Sequence, residues 1–128
     1  SLGASKMSTS LGTRIRYGVE LAKKYESEEE HFLEELYNMM GAGVNTVDSV
    51  PCAIAIAYYA SFDVHRCALL CARLGGDTDT IGAMAVSVCG GASGIQGIPP
   101  EDIELIRRAN HIEMEPYAYA ILGKRGKV

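Results

Sequence analysis

The chain has 128 residues, of which 48% are hydrophobic and 22% charged, which is enough for one compact domain with a sizeable core. This composition excludes an intrinsically disordered chain. A formal net charge of −4 at pH 7 gives no basic surface of the kind that neutralises nucleic-acid phosphates, so no nucleic-acid partner is expected.

The chain begins with residues 1–10, which lack the charged and then apolar order of a signal peptide and are predicted to be a flexible leader. Residues 11–128 are predicted to belong to a single domain. Apolar residues at helical spacing follow the leader, and the next helix is predicted to begin with a capping box formed by Ser27 and Glu30. The apolar stripe of that helix is predicted to consist of Phe32, Leu36, Met39 and Met40.

Glycines interrupt the helical pattern between Met40 and Pro51, so this segment is predicted to be a loop. Pro51 fits the first turn of the following helix, because an N–H in the first turn has no helical partner. The helix from Cys52 to Ala60 is apolar nearly all round and is therefore expected in the centre of the core. Asp63 is predicted to be the N-cap of the next helix.

The cysteines all lie in apolar stretches that are predicted to be helical, and their spacing fits neither a C-x-x-C zinc pair nor a disulfide framework. We therefore expect buried, reduced thiols in a cytoplasmic protein. The uncharged stretch from Thr80 to Pro99 is interrupted by glycines and polar residues and lacks the long apolar run that a membrane span needs. No membrane partner is expected.

A further helix is predicted to start at Pro99 or Pro100, because acidic residues follow in its first turn and two arginines lie in its last turn. No segment shows sustained alternation of apolar and polar residues, so no strand is predicted. The predicted fold class is all-α.

The sequence L-G-G-D-T-D-T-I places two carboxylates, Asp77 and Asp79, at the predicted N-terminus of a helix rich in small residues. One aspartate is enough to cap a helix, and a second one nearby adds like-charge repulsion that the helix dipole offsets only in part. A divalent cation such as Mg²⁺ or Mn²⁺ offsets this repulsion, and these ions prefer carboxylate and hydroxyl oxygens. The motif therefore predicts a metal site.

Two other kinds of site with a D-x-D sequence are excluded. An EF-hand calcium loop requires a glutamate at its twelfth position, where this chain has Val88. A phosphatase of the haloacid dehalogenase type needs a strand before the motif and a threonine or valine at the position of Ile81. The flanking sequence is helical in pattern, so this alternative also fails.

The stretch SVPCAIAIAYYASFDVHRCALLCARLGGDTDTIGAMAVSVCGGASGIQGIP resembles the C-terminal half of the ADP-ribosylglycohydrolase family, which includes dinitrogenase reductase-activating glycohydrolases and certain crystallins. The resemblance is close over roughly residues 40–100 and looser in the flanking helices. It implies an all-α helical bundle, incomplete in this chain, with residues 11–128 as the C-terminal part of one domain.

The resemblance also implies a set of site residues. Asp77, Asp79 and Thr80 would be ligands of a dinuclear Mg²⁺ or Mn²⁺ site that is completed by residues outside this chain. Gly43 and Val44, in the glycine-containing loop, would contact the substrate.

By the same resemblance, the function would be metal-dependent removal of ADP-ribose from a modified protein or a small molecule by cleavage of an N- or O-glycosidic bond. The catalytic general base remains unassigned. The family's N-terminal metal ligands have no counterpart here, so we expect a fragment that is inactive alone and that either meets a missing N-terminal half or self-associates. The alternative is a catalytically inactive structural or regulatory member of the same fold, as among the crystallins.

Overall fold

The computed structural model describes residues 2–125, with side chains described from Ser10 to Gly123. The helices are α1 (Leu2–Lys24), α2 (Glu29–Met40), α3 (Thr46–Tyr59), α4 (Val64–Leu74), α5 (Thr78–Ser93), α6 (Pro100–Asn110) and α7 (Glu115–Arg125), with a 3₁₀ turn at Ile95–Gly97. Residues 2–125 contain no strand, which confirms the all-α prediction. In this part of the chain no helix combines the length and apolar character needed to cross a bilayer.

The described residues form two compact units, one within residues 1–98 and one within residues 99–128. The first unit contains α1 to α5, and the second contains α6 and α7. Because α1 begins at Leu2, the backbone of residues 2–10 is helical where a leader is predicted, and Ser1 lies outside the described residues. The assignment of residues 1–10 as a leader and of residues 11–128 as part of one domain stays a prediction.

Helix α3 forms the centre of the first unit, as its apolar sequence predicts. It packs against α1, α2, α4 and α5, and eight of its residues are buried. Small residues allow close helix packing, since a Cβ on Gly18 of α1 would lie 2.9 Å from the Cβ of Ala55. At the C-terminal end of α3, the Tyr59 ring stacks on Phe32 of α2 with 4.2 Å between ring centroids.

The predicted start and stripe of α2 need correction. The N-cap is Glu28, which makes no side-chain capping bond, so the capping box of Ser27 and Glu30 does not form. The Glu28 carboxylate instead contacts the His31 ring, with 2.9 Å between Oε2 and Nδ1.

The buried stripe of α2 contains Leu33 in place of Met39, whose side chain is 55% exposed. The buried residues define the centre of the apolar face of α2, and Met39 lies at the edge of that face. The buried residues of α2 are Phe32, Leu33, Leu36 and Met40.

The loop between α2 and α3 is shorter than predicted, and Pro51 lies inside α3 instead of in its first turn. Helix α3 begins at Thr46, with Asn45 as the N-cap in an extended conformation. The carbonyl of Val47 would accept the N–H four residues later, but Pro51 has none. The Nε of Arg14 donates to this carbonyl instead, at 2.7 Å, which explains how the helix accommodates the proline.

Local signals correctly place the starts of α4 and α6. Asp63 is the N-cap of α4 and accepts a 2.6 Å hydrogen bond from the backbone N–H of Arg66. Helix α6 begins at Pro100 with Pro99 as its N-cap. The cysteines are free and buried, as predicted: Cys52, Cys67, Cys71 and Cys89.

Helix α7 of the second unit is not predicted by the sequence analysis. Helix α6 ends at Asn110, and its C-cap residue His111 has a left-handed backbone with φ of 53°. Within this unit Arg107 of α6 pairs with Glu113 and with Glu115 at the start of α7. None of the side chains that the structure describes in this unit is buried.

Candidate functional site

The turn between α4 and α5 is built on two glycines with left-handed backbones. Gly75 has φ of 85° and Gly76 has φ of 72°, a region that residues with a Cβ rarely adopt. A Cβ on Gly76 would also lie 2.7 Å from the Cβ of Ala42 and collide with the Ala42 carbonyl oxygen. The glycine pair therefore allows the turn to lie directly against the glycine loop, defined here as residues 41–45.

A main-chain hydrogen bond joins the turn to the glycine loop. The N–H of Asp77 donates to the carbonyl oxygen of Ala42 at 2.8 Å. Asp77 is the N-cap of α5, and the predicted metal-binding residues Asp79 and Thr80 follow in the first turn of that helix. The structure thus brings the two predicted parts of the site together, although they are more than thirty residues apart in the sequence.

The Asp77 carboxylate does not serve as a helix cap. It makes no side-chain capping hydrogen bond, and its Oδ2 atom is buried without a hydrogen-bond partner in the described part of the chain. Burying a carboxylate oxygen without a partner is unfavourable, and such atoms in native structures call for an explanation. This arrangement fits a role for Oδ2 of Asp77 as a ligand of a bound cation.

Asp79 and Thr80 are exposed in the first turn of α5. Hydrogen bonding with the Asp77 side chain, and then with the backbone N–H groups of Thr80 and Asp79, lowers the pKa of the Asp79 carboxyl. A lowered pKa favours the ionised form of the Asp79 carboxyl, and ionised carboxylate oxygens are ligands that hard divalent cations prefer.

The described residues contain no group of three or more histidine, cysteine, aspartate or glutamate side chains arranged to hold a metal. Asp77 and Asp79 supply two carboxylates, and Thr80 adds a hydroxyl. Mg²⁺ and Mn²⁺ bind through few carboxylates together with hydroxyl, water and substrate oxygens, so this donor set suits part of such a site.

The glycine loop places its two predicted substrate residues at the surface. Gly43 is half-buried, and a Cβ at this position would lie 3.4 Å from Oδ2 of Asp48. The side chain of Val44 is 78% exposed, which is high for a large apolar residue. Both residues are therefore at least partly exposed to solvent.

The residues that hold this loop in place are not apparent from the local sequence pattern. The Arg14 guanidinium of α1 donates to backbone carbonyls on both sides of the loop and pairs with Asp48. The Cys52 thiol donates to the Gly41 carbonyl oxygen at 3.1 Å. The available signal for Arg14 was Pro51, since a proline inside a helix leaves a carbonyl that needs a donor.

Comparison with known proteins gives a consistent family assignment. The family model described as ADP-ribosylglycohydrolase matches residues 3–127. A protein of Escherichia coli (strain K12), described as "Uncharacterized protein YegU", is 42% identical to this chain over 114 residues, which are 89% of this chain and 34% of that protein. The chain thus spans about a third of the length of this curated relative. No solved structure matches significantly.

The family match includes the flanking helices as well as residues 40–100, and the expectation of a match to the C-terminal half only is not borne out. Metal dependence is typical of this family. Because the family model covers nearly all of the sequence, the chain belongs to the ADP-ribosylglycohydrolase family.

Proposed function

We propose that this chain supplies metal-binding and substrate-binding residues of a metal-dependent hydrolase that releases ADP-ribose from a modified protein or small molecule. Family membership supports a glycohydrolase in general. The observation that carries the proposal is the buried, unpartnered Oδ2 of Asp77, which lies beside the Asp79 carboxyl and next to the glycine loop.

In this proposal Asp77, Asp79 and Thr80 hold Mg²⁺ or Mn²⁺. A cation offsets both the unpaired buried oxygen and the repulsion between two neighbouring carboxylates. Three side chains are too few for two ions that each take about six oxygens, so we infer that water, substrate and residues outside this chain complete a dinuclear site. When bound, such ions polarise an oxygen of the substrate or lower the pKa of a water.

The glycine loop is the proposed contact for ADP-ribose. Gly43 has no side chain to block the approach of a ligand to the backbone, and the exposed Val44 side chain offers apolar surface that a ligand would bury. The hydrogen bond from Asp77 to Ala42 holds this loop beside the metal-binding residues. The ligand would therefore contact both segments at once.

Release of ADP-ribose tests this proposal. An ADP-ribosylated peptide is incubated with the full-length protein, first with EDTA and then with added Mn²⁺ or Mg²⁺, and free ADP-ribose is measured by chromatography. We expect release only with the metal, and no release by Asp77→Asn. Metal-independent release would contradict the metal site, and binding of metal and ADP-ribose without release would favour the inactive, crystallin-like alternative.

A further inference from the structure

The Arg14 side chain of α1 joins the two ends of the glycine loop. Its Nη2 donates to the carbonyl oxygen of Met40, the last residue of α2, at 2.5 Å. Its Nε donates to the carbonyl oxygen of Val47, in the first turn of α3, at 2.7 Å. Its Nη2 also donates to Oδ1 of Asp48 at 3.0 Å. One guanidinium thus fixes the distance between the residues that precede and follow the loop.

Both carbonyls need a donor from outside their own helix. The carbonyl of Met40 lies at the C-terminus of α2, where carbonyls have no intrahelical donor. The carbonyl of Val47 lacks its donor because Pro51 has no N–H. Hydrogen bonds from an ionised donor are the stronger kind, and a guanidinium offers several donors in one fixed plane. The sequence therefore makes an arginine, and not a lysine, the suitable residue at position 14.

The ion pair between Arg14 and Asp48 extends this connection to Gly43 in the glycine loop. Oδ1 of Asp48 accepts the bond from Arg14, and Oδ2 of the same carboxylate lies 3.4 Å from the point where Gly43 would carry a Cβ. The side chains of Arg14 and Asp48 are only 33% and 24% exposed, so water screens the pair weakly. Displacing Arg14 would therefore release the Asp48 carboxylate next to Gly43.

We propose that Arg14 is a positioning residue for ADP-ribose, acting through the glycine loop and not through the metal-binding residues. This inference rests on the proposed function of the loop. Among the described residues, the Arg14 side chain makes its hydrogen bonds to Met40, Val47 and Asp48 and none to the α5 motif. Its loss should weaken substrate binding while leaving metal affinity intact.

The test compares Arg14→Gln and Arg14→Lys with the wild type in the full-length protein. Titration calorimetry with ADP-ribose at saturating Mg²⁺ should show an affinity at least about tenfold lower for Arg14→Gln. Arg14→Lys keeps the charge but not the planar set of donors, so it should restore part of the affinity. Mg²⁺ affinity should stay within about twofold, and KM should rise with little change in kcat.

The matched control is Arg16→Gln on the same helix. Arg16 is exposed, and its guanidinium contacts the Thr13 hydroxyl at 3.2 Å. This variant should bind ADP-ribose like the wild type. Wild-type ADP-ribose affinity in Arg14→Gln would overturn the inference, and so would equal losses of metal affinity, ADP-ribose affinity and kcat, because they would indicate a general structural role.

A second measurement separates this inference from the proposed function. If the wild-type protein binds no ADP-ribose, the proposed function fails, and the role of Arg14 in holding the loop is then decided by amide hydrogen exchange. The Asp77 amide, which is bonded to Ala42, should exchange at least about tenfold faster in Arg14→Gln than in Arg16→Gln. Equal exchange rates would overturn that role.

Discussion

The N–H of Asp77 donates a hydrogen bond to the carbonyl oxygen of Ala42, with 2.8 Å between nitrogen and oxygen. This bond joins the N-terminus of α5 to the glycine loop and involves only main-chain atoms. Side-chain substitutions in one segment can therefore leave the connection to the other segment in place. The two proposed binding steps, for metal and for ADP-ribose, can be tested separately for this reason.

Gly76→Ala should damage this junction. The left-handed backbone disfavours alanine by about 1–2 kcal/mol, and the added Cβ would collide with Ala42. We expect the free energy of unfolding in urea to fall by about 2 kcal/mol or more. The control is Gly90→Ala within α5, where no atom lies within 4 Å of the added Cβ and stability should stay the same or rise by about 0.5–1 kcal/mol. Similar losses in the two variants would contradict this role of Gly76.

Gly43→Val should weaken ADP-ribose binding more than metal binding. The β-branched side chain restricts the backbone and crowds the loop surface beside Asp48. Calorimetric titrations of the same sample with Mn²⁺ and then with ADP-ribose measure the two affinities. If both affinities fell equally, the variant would be misfolded and the loop would lose its assignment to the substrate site.

Cys52→Ser should reduce the loss of the free energy of unfolding at alkaline pH. Burial raises the pKa of the Cys52 thiol to about 12 from its ordinary value of 9.0. Because the folded pKa is the higher one, the stabilisation is present below pH 9 and is lost as the pH rises towards 12, by up to about 1.4 kcal/mol per pH unit. Serine does not titrate in this range and can still donate to the Gly41 carbonyl oxygen. Urea unfolding from pH 8 to pH 11 measures the two curves, and parallel curves would contradict the prediction.

The elements that sequence reasoning predicts well depend on local interactions. Asp63 caps α4 through the amide three residues later, and the pair of prolines starts α6, so a short window of sequence contains the whole cause. The position of Pro51 depends on a distant residue. Arg14 supports Pro51 inside α3 by donating to the Val47 carbonyl oxygen. Arg14 lies thirty-three positions before Val47 in the sequence, so no local pattern reveals this donor.

In the candidate site too, the sequence predicts the local features but not the contacts between distant residues. The repulsion between Asp77 and Asp79 can be read from their spacing, which is why the motif by itself predicts a metal site. The bond from Asp77 to Ala42 could not be predicted, because every residue other than proline has the same main-chain donor. The contacts of Arg14 likewise become visible only when α1 lies beside α3.

The central claim is that Asp77 and Asp79 bind a divalent metal, and calorimetric titration with Mg²⁺ and Mn²⁺ tests it most directly. Asp77→Asn and Asp79→Asn in the full-length protein should each lower the metal affinity at least about 10–100-fold. The metal-free variants should unfold at the same or higher urea concentration, because a repelling charge is removed. The control is Asp63→Asn, since asparagine caps a helix as well as aspartate. Wild-type metal affinity in both motif variants would contradict the account.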